Sequence, residues 1–258
     1  MQRVIVVTSG KGGVGKTTVC ASIGKSLSKL GKSVLLVEGD IGLNNLDVVL
    51  QVEDKVIYDA SDVVRGKASA MQAVIEVDKN LYLFPSTNIS DGLITTESFV
   101  KIIEELKQEF NYVIIDSPAG IESNFYRAIA SAEESILVVT PHLSSVRDGA
   151  KTIRMLSDEG ITKVGLIVNR VRGEFVMDKS TLAPNEIAEI TGIPLYGVIP
   201  EDDSINKNGM VNFDDKHNSA SFSYRLIADY IDGKDKKIYN CENGHSSLIS
   251  RVKRWLTK

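Results

Sequence analysis

Short runs of Val, Ile and Leu recur along the chain between longer stretches in which apolar residues return every three or four positions. The runs cover residues 3–8, 33–38, 81–84, 112–116, 135–140, 163–169 and 195–199. They are nearly continuous rather than alternating, which is the pattern of strands covered on both faces. Helical periodicity falls between them, at 16–30, 96–110, 144–157, 184–191 and 219–231. Parallel strands need crossover connections, so this alternation predicts an α/β fold: a mostly parallel twisted sheet with helices on both faces. One domain is expected over residues 1–231, with a surface loop at 211–217. A polar, flexible linker is expected over 232–246, and a segment of different character at 247–258.

One glycine-rich stretch carries chemistry. Gly10-Lys11-Gly12-Gly13-Val14-Gly15-Lys16-Thr17 satisfies G-x-x-x-x-G-K-T, directly after the first strand and at the start of the first helix. Glycines there let successive backbone N–H groups turn inward around phosphate oxygens, and the helix N-terminus adds a favourable dipole. Lys16 would neutralise the β- and γ-phosphates, and the Thr17 hydroxyl would ligate Mg²⁺. A nucleotide site also needs a carboxylate at a strand end on the metal side. Asp116 ends the strand 112–116 and is placed for that role, the plainer alternative being a helix-capping Asp. Asp40 follows the second strand, whose C-terminal end should share the same sheet edge; it would orient the attacking water or contact Mg²⁺, or else form an Asx turn.

Composition narrows the class. The chain has 258 residues, 43% hydrophobic and 25% charged, with net charge −4, an ordinary globular balance that excludes disordered and collagen-like chains. Cys20 and Cys241 are far apart, so no disulfide framework or paired-cysteine cluster is expected, and a cytoplasmic location fits. Three scattered histidines lack ligand spacing. No secretory pattern opens the chain, and no stretch approaches the roughly 20 apolar residues of a spanning helix.

The last residues differ from all that precedes. Leu248, Ile249, Val252, Trp255 and Leu256 fall on one helical face, flanked by Arg251, Lys253, Arg254 and Lys258. Removing those four positive charges from the net −4 leaves the rest of the chain at −8. A basic amphipathic helix with an interfacial Trp reads as an anchor on an anionic membrane surface; a helix docked on the body is the alternative.

The loop from Lys11 to Thr18 resembles the deviant Walker A box of the ParA/MinD ATPases, which has an extra lysine early in the loop. The stretches 40–47, 116–120, 144–148, 169–170 and 197–202 extend the resemblance over nearly the whole chain, toward the MinD-like members. That resemblance implies a P-loop NTPase that hydrolyses ATP with Mg²⁺ and dimerises with ATP. It assigns Gly10 through Thr18, Asp116, Asn169, Arg170, Pro200, Glu201 and Asp202 to the nucleotide, the last five of them around adenine. Thr17, Asp40 and Asp116 would serve the metal, and Lys11, Lys16 and Asp40 catalysis, with Lys11 crossing to the phosphates of the other subunit. Ser144 to Asp148 would lie at the dimer or partner surface.

By the same resemblance the protein would place the division site from the inner face of the cell membrane, with a MinC-like inhibitor and a MinE-like or other topological regulator as partners. Glu38 stands where the family often has Asp, and Asn44 where it often has Arg. A flagellar-placement ATPase of the FlhG type remains an alternative, though Met1 lies almost on the first strand where that type usually carries an N-terminal extension. A DNA-partitioning ParA-type ATPase needs a basic surface, which an acidic body does not offer, so nucleic acid is not the expected partner. A scaffold that binds ATP without turnover is also consistent with the motif.

Overall fold

The computed structural model describes residues 2–42, 45–87, 92–120, 123–203, 205, 209–215 and 217–242. Eight strands form one sheet: β1 (Arg3–Thr8), β2 (Val34–Glu38), β3 (Ile75–Asp78), β4 (Leu81–Phe84), β5 (Tyr112–Asp116), β6 (Glu134–Val139), β7 (Val164–Val171) and β8 (Leu195–Pro200), in the order β3-β4-β2-β5-β1-β6-β7-β8. Every pairing is parallel except that of β3 with β4, an edge hairpin. Its tight turn needs a left-handed residue, and Asn80 supplies it at φ 61°. The long helices are α1 (Lys16–Lys29), α4 (Thr96–Leu106), α6 (Leu143–Asp158), α8 (Pro184–Thr191) and α9 (Ser219–Ile231). Four short ones are given in full among the described residues: α2 (Leu46–Leu50), α3 (Ala60–Val64), α5 (Ser123–Ile129) and α7 (Gly173–Met177).

Successive strand residues point to opposite faces, so the near-continuous apolar runs feed two cores at once. Ile5, Val7, Val34 and Leu36 face α1 and α9, packing on Ile23, Leu27, Tyr224 and Ile227. Val4, Val6, Leu35 and Val37 face the other layer and pack with Phe99, Ile103, Phe125 and Leu156 of α4, α5 and α6. The α/β layering predicted by the hydrophobic pattern is therefore present, and each central strand is sealed from water twice.

Some predicted boundaries move. The first strand after α1 starts at Val34 rather than at 33, α4 ends at Leu106 rather than at 110, and β7 continues to Val171. The hairpin strand β3 and the four short helices were not predicted, because five to seven residues hold less than two helical turns and show no repeat. The 211–217 stretch is not simply a surface loop: Val211 is buried, and Phe213 packs against Tyr224 with ring centroids 6.3 Å apart. The described part of the expected linker also lies on the body, since Cys241 is buried and Ile238 and Tyr239 pack on the α4–α6 core. Three apolar side chains in an otherwise polar stretch suffice to hold it there. The amphipathic segment 247–258 lies outside the described residues. Among those residues no helix is long and apolar enough to cross a membrane.

Candidate nucleotide site

The three strands β1, β5 and β2 end at one sheet edge, with Asp116 in register with both Val7 and Glu38. The loop leaving β1 therefore passes the end of β5 before entering α1. Its glycines have distinct tasks. A Cβ on Gly10 would lie 2.3 Å from the backbone carbon of Asp148, so the loop can approach α6 only without a side chain. Gly15 sits at φ 88°, the left-handed region, and a Cβ there would meet the Asn169 amide at 2.5 Å. That amide donates to the Val14 carbonyl at 2.8 Å and so ties the loop to β7.

Lys16 opens α1, and its Nζ donates to Asp116 Oδ1 at 2.6 Å, with side chains 10% and 0% exposed. The other oxygen, Asp116 Oδ2, is buried with no hydrogen-bond partner among the described residues. A buried carboxylate with a spare acceptor, facing a loop that ends in Thr17, suits a hydrated divalent cation. Beside it in register, Glu38 is also buried, and its carboxylate accepts the backbone N–H groups of Asp40 at 3.2 Å, Asn45 at 2.9 Å and Leu46 at 2.9 Å. Burial, then the charge of Asp116, pushes the Glu38 carboxyl up to about 8, against the pull of those three donors. Asp40 is shifted upward too, chiefly by burial, with Lys16 opposing the shift.

A cleft of about 390 Å³ lies over the loop, lined by Lys11 to Thr18, Asp40, Asn45, Val48, Val49, Ala119 and Arg170 among others. It gathers the predicted phosphate-loop residues with Asp40 and Arg170. Asp116 stands behind it through Lys16. Pro200 and Glu201 instead line a separate hollow of about 360 Å³ with Arg172 and Tyr239. Asp202 accepts from the amide of Asn218, which caps α9. Asn169 is occupied by Val14, so of the residues expected around adenine only Arg170 opens onto the cleft.

Lys11 reaches across to α6 of its own chain, its Nζ donating to Ser144 Oγ at 3.1 Å. Ser144 and Arg147 are exposed beside it, whereas Ser145 is turned inward and accepts the Thr140 N–H at 3.1 Å. Sequence reasoning did not assign Asn45, Val48 and Val49, which close the cleft from α2, although the 40–47 stretch pointed toward them.

Residues 5–212 match the family described as "CobQ/CobB/MinD/ParA nucleotide binding domain". The septum site-determining protein MinD of Synechocystis sp. is 39% identical over 263 residues, covering 99% of each chain. The MinC:MinD cell division protein complex of Aquifex aeolicus contains a chain 36% identical at a TM-score of 0.85, covering 92% of this chain and 98% of that one. MinD of Pyrococcus horikoshii, complexed with Mg-ADP, is 31% identical at a TM-score of 0.81, covering 90% and 97%. With its phosphate loop, buried carboxylate at the end of β5 and full-length relatives, the chain belongs to the MinD/ParA family of nucleotide-binding proteins, among its MinD members.

Proposed function

We propose that this protein is an ATPase that dimerises with ATP, cycles on and off the inner face of the cell membrane, and positions the division site. The observation that carries the reading is the convergence of two lysines, Lys11 and Lys16, with Asp40 on one cleft of about 390 Å³, backed by Asp116 through Lys16, in a chain matched end to end by septum-site proteins. Lys16 and the loop amides would hold the β- and γ-phosphates, and Asp40 would orient water toward the γ-phosphate. Thr17 and Asp116 would hold Mg²⁺, which supplies positive charge to the phosphate oxygens as they become more negative. Lys11 would leave Ser144 to reach phosphates of a second copy, adding charge where it develops in the transition state. Ser144, Arg147 and the exposed Leu143 offer the surface nearest that event to a MinC-like inhibitor or a MinE-like activator.

Membrane attachment is assigned to residues 247–258. A helix of twelve residues is marginal by itself, so one tail binds weakly. Two tails in one dimer gain about 10²- to 10⁴-fold through effective concentration, which makes ATP the switch. Co-sedimentation with anionic vesicles tests this directly. Binding is expected with ATP, is expected to be weak with ADP or no nucleotide, and should vanish on deletion of 247–258 or with Leu256→Asp. Equal sedimentation of the truncated chain would defeat the membrane reading.

A further inference from the structure

After β2 the chain must turn sharply and then begin α2, and each backbone donor on the way needs an acceptor. Gly39 makes the turn: its N–H donates to the Asp116 carbonyl at 2.9 Å, and a Cβ there would lie 2.7 Å from that same oxygen. Gly42 N–H donates to the Thr87 carbonyl at 3.0 Å, just past the end of β4. The N–H groups of Asp40, Asn45 and Leu46 go instead to one side chain, the buried Glu38.

The two oxygens of that carboxylate serve different ends of the loop. Oε1 accepts from Asp40 at 3.2 Å, and Oε2 accepts from both Asn45 and Leu46 at 2.9 Å. Asn45 is the N-cap of α2, yet its own side chain makes no capping hydrogen bond. Glu38 provides the missing acceptor from the end of the strand, taking N–H groups that a helix start leaves open. The same turn of α2 carries Val48 and Val49, which with Asn45 form a wall of the cleft that Asp40 faces. Asp40 and that wall are thus fastened to one point, a side chain 3% exposed and in register with Asp116.

We propose that Glu38 is a positioning residue: its carboxylate ties the Asp40 backbone to the start of α2 and so sets the Asp40 side chain for its work on the attacking water. The inference rests on the reading of Asp40 given above. Glu38 is not among the residues lining the cleft, so it acts through the loop and not on the nucleotide. In that reading Lys16 and the phosphate-loop amides hold the phosphates. Releasing Asp40 alone should therefore slow the chemical step and leave affinity nearly unchanged, whereas releasing α2 as well should touch both.

The test uses the full chain with Mg²⁺-ATP on anionic vesicles, comparing parent, Glu38→Gln, Glu38→Ala, Asp40→Ala and the Glu38→Gln/Asp40→Ala double variant. Each is measured for ATP dissociation constant, single-turnover hydrolysis at saturating ATP, and denaturant unfolding. Gln keeps the shape of Glu38 but offers one oxygen and an NH₂. Setting that oxygen toward Asn45 and Leu46 leaves one N–H unpaired instead of two, so Glu38→Gln should free Asp40 and keep the cap on α2. It is expected to hydrolyse about tenfold more slowly and to bind ATP within about twofold of the parent. Glu38→Ala frees both ends, and should slow hydrolysis further and weaken ATP binding about fivefold as the Val48–Val49 wall loosens. The double variant should be no slower than Asp40→Ala, because Glu38 acts through that carboxylate. Parental hydrolysis by Asp40→Ala would overturn the underlying reading of Asp40. A slow Asp40→Ala beside a parental Glu38→Gln, a further loss in the double variant, or a Glu38→Gln defect confined to ATP binding would overturn the positioning role alone.

Discussion

At the scale of single residues the site is organised around charge that the protein has taken out of water. Asp116 and Glu38 lie side by side in register, both buried, and Lys16 is the cation set against them. Burying two carboxylates together is costly unless one is paired and the other accepts strong donors, and both conditions are met here. Lys16 thus has a structural task as well as a proposed one toward phosphate. Lys16→Ala should weaken ATP binding at least a hundredfold, about 3 kcal/mol, since the phosphates lose their main counter-charge. It should also lower stability without nucleotide by about 3 kcal/mol, because Asp116 is left unpaired in the interior. Fluorescence titration and denaturant unfolding on one sample separate the effects. Unchanged nucleotide affinity would refute the phosphate assignment.

Elements at the far edge of the sheet are tied by charge as well. Glu134, at the start of β6, receives Arg3 of β1 through two hydrogen bonds of 2.6 and 2.7 Å, and Lys163 before β7 at 2.8 Å. Burial acts to raise the Glu134 carboxyl, but these two cations outweigh it and hold it below the usual range. A carboxylate depressed in the folded chain contributes stability that is present above its unfolded pKa and is lost as pH falls through the folded value. Glu134→Gln should therefore cost about 2–3 kcal/mol near pH 7, and the gap to the parent should close on acidification below about pH 4.5. Denaturant unfolding at several pH values measures it. ATP affinity should not change, because the phosphate loop leaves the opposite end of β1. A gap that persists in acid would mean that packing, not charge, holds these strands.

For the whole molecule, the question is what two copies do together. Lys11 is satisfied within one chain by a neutral hydroxyl, a contact that exposed groups give up at little cost. Transfer to a phosphate on a second copy would gain a charge-assisted contact in its place. Lys11→Ala should accordingly bind ATP nearly as the parent does, yet dimerise poorly and lose activated hydrolysis. Equilibrium binding and light scattering of the same variant decide it, and normal dimerisation would leave Lys11 as a loop residue tied only to Ser144 of its own α6. The acidic body and basic tail have a related consequence. Membrane binding should fall with salt, because Arg251, Lys253, Arg254 and Lys258 act through a surface potential screened over about 8–10 Å.

Much of this was already legible along the chain. Doubly buried strands write themselves as unbroken Val, Ile and Leu runs, and helices of three turns or more repeat their apolar face. The phosphate loop is readable because its residues lie in one continuous backbone segment between β1 and α1, so its spacing is a linear property. What a side chain meets across the sheet is not linear. Glu38 gave no sign that it would catch three backbone donors, since that depends on how the chain turns after β2 and on Asp116 arriving from β5. The linker expected over 232–246 reads as polar because three apolar residues among many charges carry no period; only the packing of Ile238, Tyr239 and Cys241 shows that its described part lies on the body. Local pattern determines strands, helices and a contiguous loop, whereas only the closing of the sheet decides which distant donors and acceptors meet.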